Sequence, residues 1–154
     1  MIREAKKEDY DAVYNLANQL FQIHQKNHPE LIRLDCPFTE KYFEYYLSDE
    51  DTRIFVYEEG GQIVGYCLTQ TIRHWKHYMY YDMVIQQIND LFVDKSVRGR
   101  SVGYQLFTHV EKYAKEIGAK KLEVDVWSFN KDARLFYEKL KMNERMLRLE
   151  LHIL

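Results

Sequence analysis

One stretch of nineteen residues restricts the fold more than any other feature of this chain: Ile88-Asn89-Asp90-Leu91-Phe92-Val93-Asp94-Lys95-Ser96-Val97-Arg98-Gly99-Arg100-Ser101-Val102-Gly103-Tyr104-Gln105-Leu106. It reads as an apolar strand, a short basic turn and the first turn of an amphipathic helix. A helix N-terminus exposes unpaired backbone N–H groups and the positive end of the helix dipole. Gly99 and Gly103 let the backbone approach an anion closely, and Arg98 and Arg100 add charge and donors. A strand feeding such a turn can cradle a pyrophosphate. The same residues also fit an ordinary solvated turn between strand and helix. The loop is neither a P-loop nor a dinucleotide fingerprint. Gly-x-x-x-x-Gly-Lys-Ser/Thr is missing, and the two glycines do not fit Gly-x-Gly-x-x-Gly.

The hydrophobic period places this stretch within a mixed fold. Met1–Ala5 suits a short strand. After the acidic first turn Lys7-Glu8-Asp9, the residues Val13, Leu16, Ala17, Leu20, Phe21 and His24 recur at helical spacing, and the helix should stop before Pro29. Thr39 is the expected N-cap of a second helix carrying Tyr42, Phe43, Tyr46 and Leu47. The period then changes to two. Thr52–Glu58 and Gln62–Arg73 flank the turn Glu59-Gly60-Gly61, and Met83–Val93 follows as a strand. A long helix over Ser101–Ile117 ends at Gly118. Lys121–Trp127 is the next strand, Asn130–Leu140 a helix, and Asn143–Ile153 a final strand with Leu147, Leu149 and Leu151 alternating with Met146, Arg148 and Glu150. The order β-α-α-β-β-β-α-β-α-β predicts an α/β single domain over residues 1–154, a mixed, mostly antiparallel sheet with helices on both faces.

Composition narrows the function class. At 154 residues there is room for one well-buried core and too little for two ordinary domains. A formal net charge of −2 provides no global basic field, which argues against nucleic acid or an anionic membrane as partner. Cys36 and Cys67 show no CxxC spacing, and the chain reads as free of a signal peptide, so reduced thiols in a cytoplasmic location are expected. No run approaches the roughly 20 apolar residues that cross a bilayer. Nor does any Cys/His spacing suggest a metal.

Two blocks then resemble the GCN5-related N-acetyltransferase (GNAT) superfamily. Arg98-Gly99-Arg100-Ser101-Val102-Gly103 is similar to the family's Arg/Gln-x-x-Gly-x-Gly/Ala, except that serine stands at 101 where glycine is usual. Asn130-Lys131-Asp132-Ala133-Arg134-Leu135-Phe136-Tyr137-Glu138-Lys139-Leu140-Lys141-Met142 is similar to Asn-x-x-Ala-x-x-Phe-Tyr-x-Lys-Leu-Gly-Phe/Met, with Lys141 in the glycine's place. The resemblance implies acetyl-CoA as co-substrate. It gives the backbone of Leu91, Phe92 and Val93 to the pantetheine amides, and Arg98, Gly99, Arg100, Ser101, Val102, Gly103 and Tyr104 to the pyrophosphate. The groove for thioester and amine would lie where the fourth and fifth strands splay apart.

The same resemblance assigns Tyr137 as proton donor to the departing thiolate and Asn130 as a hydrogen-bond partner of pantetheine. Pattern alone reads these two differently. Tyr137 belongs to the apolar helical stripe Ala133, Phe136, Tyr137, Leu140, and Asn130 is a good N-cap. The base is less determined. Some family members use a glutamate where Asn89 stands, and an amide cannot take a proton. Asp90 is the neighbouring candidate, although strand alternation turns it to the other face unless a bulge intervenes. Asp82, His74, His77 and a water chain are further candidates.

The aromatic segment Ile72–Asp82 suits a hairpin whose rings cover the sheet or a dimer partner, or else acceptor recognition. Cys36 and Cys67 read as buried small hydrophobes. The expected activity is acetyl transfer from acetyl-CoA directly to a primary amine of a small molecule or peptide. The alternatives are an acyl-CoA-binding sensor or scaffold without turnover, and a nucleotide-binding module.

Overall fold

The computed structural model describes residues 1–153. Five strands form one sheet in chain order: β1 (Ile2–Glu4), β2 (Thr52–Glu59), β3 (Gln62–His74), β4 (Met83–Val93) and β5 (Lys121–Val124). The first three pairings are antiparallel and the β4–β5 pairing is parallel. Gly60 and Gly61, at φ 57° and 77°, make the two-residue turn between β2 and β3, a conformation that L side chains resist.

Four helices cover the sheet. After one 3₁₀ turn at Lys7–Asp9 comes α1 (Tyr10–Asn27), followed by α2 (Glu40–Ser48), α3 (Val102–Glu116) and α4 (Lys131–Lys139). The expected caps form: Thr39 accepts from the Tyr42 N–H at 3.3 Å, and Asn130 accepts from the Ala133 N–H at 3.1 Å. Val13, Leu16 and Ala17 of α1 and Phe43 of α2 pack on one sheet face against Ile54, Val56, Tyr66, Leu68 and Phe92. On the opposite face Leu106, Phe107 and Val110 of α3 and Tyr137 of α4 pack against Phe55, Cys67 and Ile88. The expected mixed, mostly antiparallel architecture with helices on both faces is therefore the observed one. No helix among the described residues is long and apolar enough to cross a membrane.

Two departures from the sequence reading matter. β5 stops at Val124 rather than Trp127, because the chain turns away from β4 there. The final strand expected at Asn143–Ile153 does not form: these residues carry no regular secondary structure, make no backbone hydrogen bond to any described residue, and are exposed. The alternation is present in the sequence, but no backbone among the described residues pairs with it.

Candidate active site

The site begins with one extra residue in β4. Leu68 of β3 lies opposite Asp90, and the next residue, Thr69, lies opposite Ile88, so Asn89 is a β-bulge. Strict alternation would put Ile88, Asp90 and Phe92 on one face. The bulge instead sends Ile88 to the α3/α4 core and keeps Asp90 and Phe92 on the α1/α2 face. The Asn89 side chain is exposed and donates to Gln70 Oε1 at 2.8 Å. Asp90 thus faces the α1/α2 side of the sheet, beside Tyr66.

The divergence of β4 and β5 opens immediately beyond the bulge. The last paired residues are Ile88 and Val124. From Asn89 to Val93 one edge of β4 has no strand beside it, and the gap leads into a cavity of about 700 Å³. Leu68, Asp90, Val126, Asn130, Ala133 and Tyr137 line it. Phe21, His24, Phe38, Tyr42, Tyr46 and Trp127 add a set of rings to the same lining. Asp90 and Tyr137, on different elements, share this space.

Their electrostatics differ from those of exposed groups. Burial pushes the Asp90 carboxyl above the usual aspartate range, partly offset by the Tyr66 hydroxyl, which donates to Asp90 Oδ2 at 3.0 Å. Burial likewise holds the Tyr137 phenol above its ordinary value, so it stays protonated at neutral pH. Its ring is 8% exposed and packs 6.3 Å from Phe107 and 5.1 Å from Phe136, centroid to centroid. The core reading of Tyr137 is therefore true of the ring, while the residue also lines the cavity. Burial also holds the His24 imidazole below its usual range, towards the neutral form.

At the far end of β4 the basic turn leads into α3. Gly99 and Ser101 both take positive φ, 82° and 66°, and Ser101 occupies the left-handed region without an intrahelical side-chain cap. Among the described residues the backbone N–H groups of Gly99 to Tyr104 have no backbone partner; the first such bond of α3 runs from Gln105 N–H to Ser101 O. A Cβ on Gly103 would meet only ordinary contacts at 3.5 Å or more, from Phe136 and Val93, so packing alone does not demand glycine there. The Arg98 Nε donates to Val93 O at 3.1 Å and its guanidinium sits 5.2 Å from the Phe92 ring centroid. Arg100 pairs with Glu59 at 3.0 Å in an exposed contact. Such surface pairs are worth about 0–1 kcal/mol. The chemistry available is that of an anion cradle continuous with an open strand edge.

The chain belongs to the acetyltransferase (GNAT) family. The family model matches residues 11–142. Among curated relatives, an uncharacterised N-acetyltransferase of Bacillus subtilis, YhfO, is 28% identical over 137 residues, 89% of this chain and 85% of that protein. An aminoalkylphosphonate N-acetyltransferase of Salmonella typhimurium is 28% identical over 136 residues, covering 88% of this chain and 80% of that protein. A solved point mutant of the BH1408 protein of Bacillus halodurans superposes with a TM-score of 0.95 at 27% identity, covering 100% of this chain and 99% of that one. The GNAT relatives thus include both characterised and uncharacterised N-acetyltransferases.

Several expected residues lie elsewhere. The His74 ring lies tilted 4.8 Å from that of Tyr80, His77 stacks on Tyr80 at 4.6 Å, and Asp82 accepts from the Lys76 N–H at 2.8 Å. These contacts hold the tip of the β3–β4 hairpin, and none of Trp75 to Asp82 lines the cavity. Cys67 is buried as expected, whereas Cys36 is only partly buried, at the cavity wall. The sequence reading missed Tyr66, because its role depends on a partner 24 residues away. It also missed Gly65, whose added Cβ would stand 3.1 Å from Leu106 Cδ1 and 3.3 Å from Phe92 O. A glycine inside a strand was the available signal for that close approach of α3.

Proposed function

We propose that this GNAT domain transfers an acetyl group from acetyl-CoA directly to a primary amine of a small molecule or peptide, within one ternary complex. The observation that carries the reading is the meeting of Asp90 and Tyr137 in one cavity, at the point where β4 loses its β5 neighbour. In this reading the open edge of Leu91, Phe92 and Val93 receives the pantetheine amides as an added strand would. The N–H groups of Gly99 to Tyr104, with Arg98 and Arg100, take the pyrophosphate. Asn130 offers its remaining donors to pantetheine while capping α4.

Acetyl-CoA, when bound, supplies an activated thioester. The chain's own residues manage the protons. An alkylammonium with a pKa of about 10.4 must lose a proton before its nitrogen can attack. Asp90, which burial makes more basic than an exposed aspartate, receives it, and the Tyr66 hydroxyl fixes the orientation of the carboxylate. The amine nitrogen bonds to the acetyl carbon, the carbon–sulfur bond breaks, Tyr137 gives its proton to the leaving sulfur, and the second proton lost by the nitrogen restores the phenol. The rings of Phe21, Phe38, Tyr42, Tyr46 and Trp127 suit a cationic acceptor with an apolar body. A cytoplasmic location accords with two free cysteines.

The test pairs binding with turnover. CoA should raise the melting temperature by linkage, and Arg98→Ala should weaken binding by about 1–3 kcal/mol. Against an amine panel the native chain should turn over acetyl-CoA. Tyr137→Phe should keep its fold and CoA affinity while kcat falls about 10²–10⁴-fold. No thermal shift in saturating CoA would overturn the reading. A shift without turnover on any amine would make the chain an acyl-CoA-binding domain instead.

A further inference from the structure

Charge is distributed one-sidedly around the cavity. Asp90 and Asp125 line it, and among the described residues no lysine or arginine does. Of the described residues in the lining, only His24 ionises to a cation, and burial holds it towards the neutral form. A helix N-terminus would be another lodging for an anion, but those beside the cavity are already supplied. Thr39 accepts from the Tyr42 N–H at the start of α2, where Glu40 adds a carboxylate. Asn130 caps α4, and Asp132 stands in its first turn. An anionic group carried into this space would meet carboxylates and no fixed cation, an unfavourable transfer from water.

The rings of the lining form two groups. Phe38 lies 6.3 Å from Tyr46, centroid to centroid, and Tyr42 stacks on Tyr46 at 6.5 Å. His24 lies 5.8 Å from Trp127, with Phe21 one helical turn before it in α1. Both groups share the cavity with Asp90. The first feels its charge directly: burial, and after it the Asp90 carboxylate, holds the Tyr46 phenol above its ordinary value. Tyr42 and Trp127 remain 55% and 36% exposed, so they have ring surface left for a ligand to cover. A carboxylate set among such rings suits an ammonium on an apolar body.

Resting on the acetyl-transfer reading of this site, we infer that the acceptor is an alkyl- or arylalkylamine with an apolar body and no carboxylate, phosphate or phosphonate of its own. Its ammonium meets Asp90, its body lies among the rings, and Asp125, exposed in the same lining, turns anions away. The class is narrower than primary amines at large: free amino acids and amines that bear a phosphate fall outside it.

Quenching of Trp127 fluorescence reports a ligand in the cavity whether or not acetyl transfer follows. Trp75→Phe, at the hairpin tip outside the cavity, leaves Trp127 as the sole tryptophan. In saturating CoA, benzylamine and para-aminomethylbenzamide should both quench it. The isosteric para-aminomethylbenzoate adds one negative charge, and glucosamine is a cation with a polar body; each should bind at least about tenfold more weakly. The same order is expected in kcat/KM with acetyl-CoA. Asp125→Arg should narrow the gap between benzoate and benzamide, and an unchanged gap would overturn the part given to Asp125. Equal binding of benzoate and benzamide, glucosamine bound as well as benzylamine, or no quenching by benzylamine would each overturn the inference while leaving acetyl transfer to other amines standing. Selective binding without turnover on any amine would instead overturn acetyl transfer and leave the inferred ligand chemistry of the cavity in place.

Discussion

Asp9 and Asp90 are both hydrogen-bonded carboxylates, and their surroundings pull them in opposite directions. Asp9, at the entry to α1, accepts from both terminal nitrogens of Arg3 at 2.7 and 3.0 Å and from the Lys6 N–H at 2.7 Å. The Arg3 guanidinium, above all, holds it below the usual aspartate range. Asp90 has one donor, Tyr66, and no cation against it; burial pushes it up. The first charge is answered in full and ties β1 to α1. The second is left half-answered in a cavity, where a group whose charge is unfavourable can still take up a proton. The linkage signs follow. Asp9 contributes stability above its unfolded pKa, and that contribution is lost as pH falls through its lowered native value. Asp90 costs stability at neutral pH, and the cost is relieved as pH falls through its raised native value.

The sharpest way to break the comparison is to neutralise each carboxylate in turn. Asp90→Asn should lower kcat about 10²–10⁴-fold on any amine the native chain acetylates, with no loss of melting temperature at pH 7. A destabilised variant with normal turnover would make Asp90 architectural. Asp9→Asn should do the reverse, costing about 1–3 kcal/mol in urea titrations at pH 7 with kcat unchanged. That difference from the native chain should shrink as the titration is repeated at lower pH, since Asp9 of the native chain then protonates.

Two smaller effects sharpen the contrast. Ser101 holds a left-handed conformation that costs a non-glycine residue about 1–2 kcal/mol, whereas the corner around Asp9 stores no such strain. Ser101→Gly should therefore stabilise the chain by about 1 kcal/mol, read as a raised melting temperature, while CoA affinity stays within about tenfold. Tyr66→Phe removes the only donor given to the Asp90 carboxylate among the described residues. The acid limb of the kcat/KM–pH profile should move upward by less than about one unit, with a modest loss of rate. A downward move would mean that Tyr66 does not stabilise the ionised form.

Much of the site was legible because it is local. The strand, the basic turn and the helix start of Ile88–Leu106 lie consecutively in the chain, as do Asn130 and Tyr137, two helical turns apart on one face. The bulge was not legible: nothing in Ile88-Asn89-Asp90 marks an extra residue, since the mismatch exists only against Leu68 and Thr69 of β3. The rings that line the cavity were not legible for a similar reason. Trp75 to Tyr81 look like a binding surface in sequence, but they crown a hairpin tip, while the cavity draws its rings from α1, α2, the segment before α2 and the turn after β5.

The sequence by itself determined the periods, caps and turns, and through them the elements, the layer order and the family. Each of these rests on side chains within a few residues of one another. Only the tertiary structure decided where Asp90 points, that Tyr66 supports it, how far β5 follows β4, and that residues 143–153 join no strand among the described residues. Those outcomes depend on register between distant strands. Register is fixed by packing and backbone pairing across the whole sheet, and no local pattern encodes it.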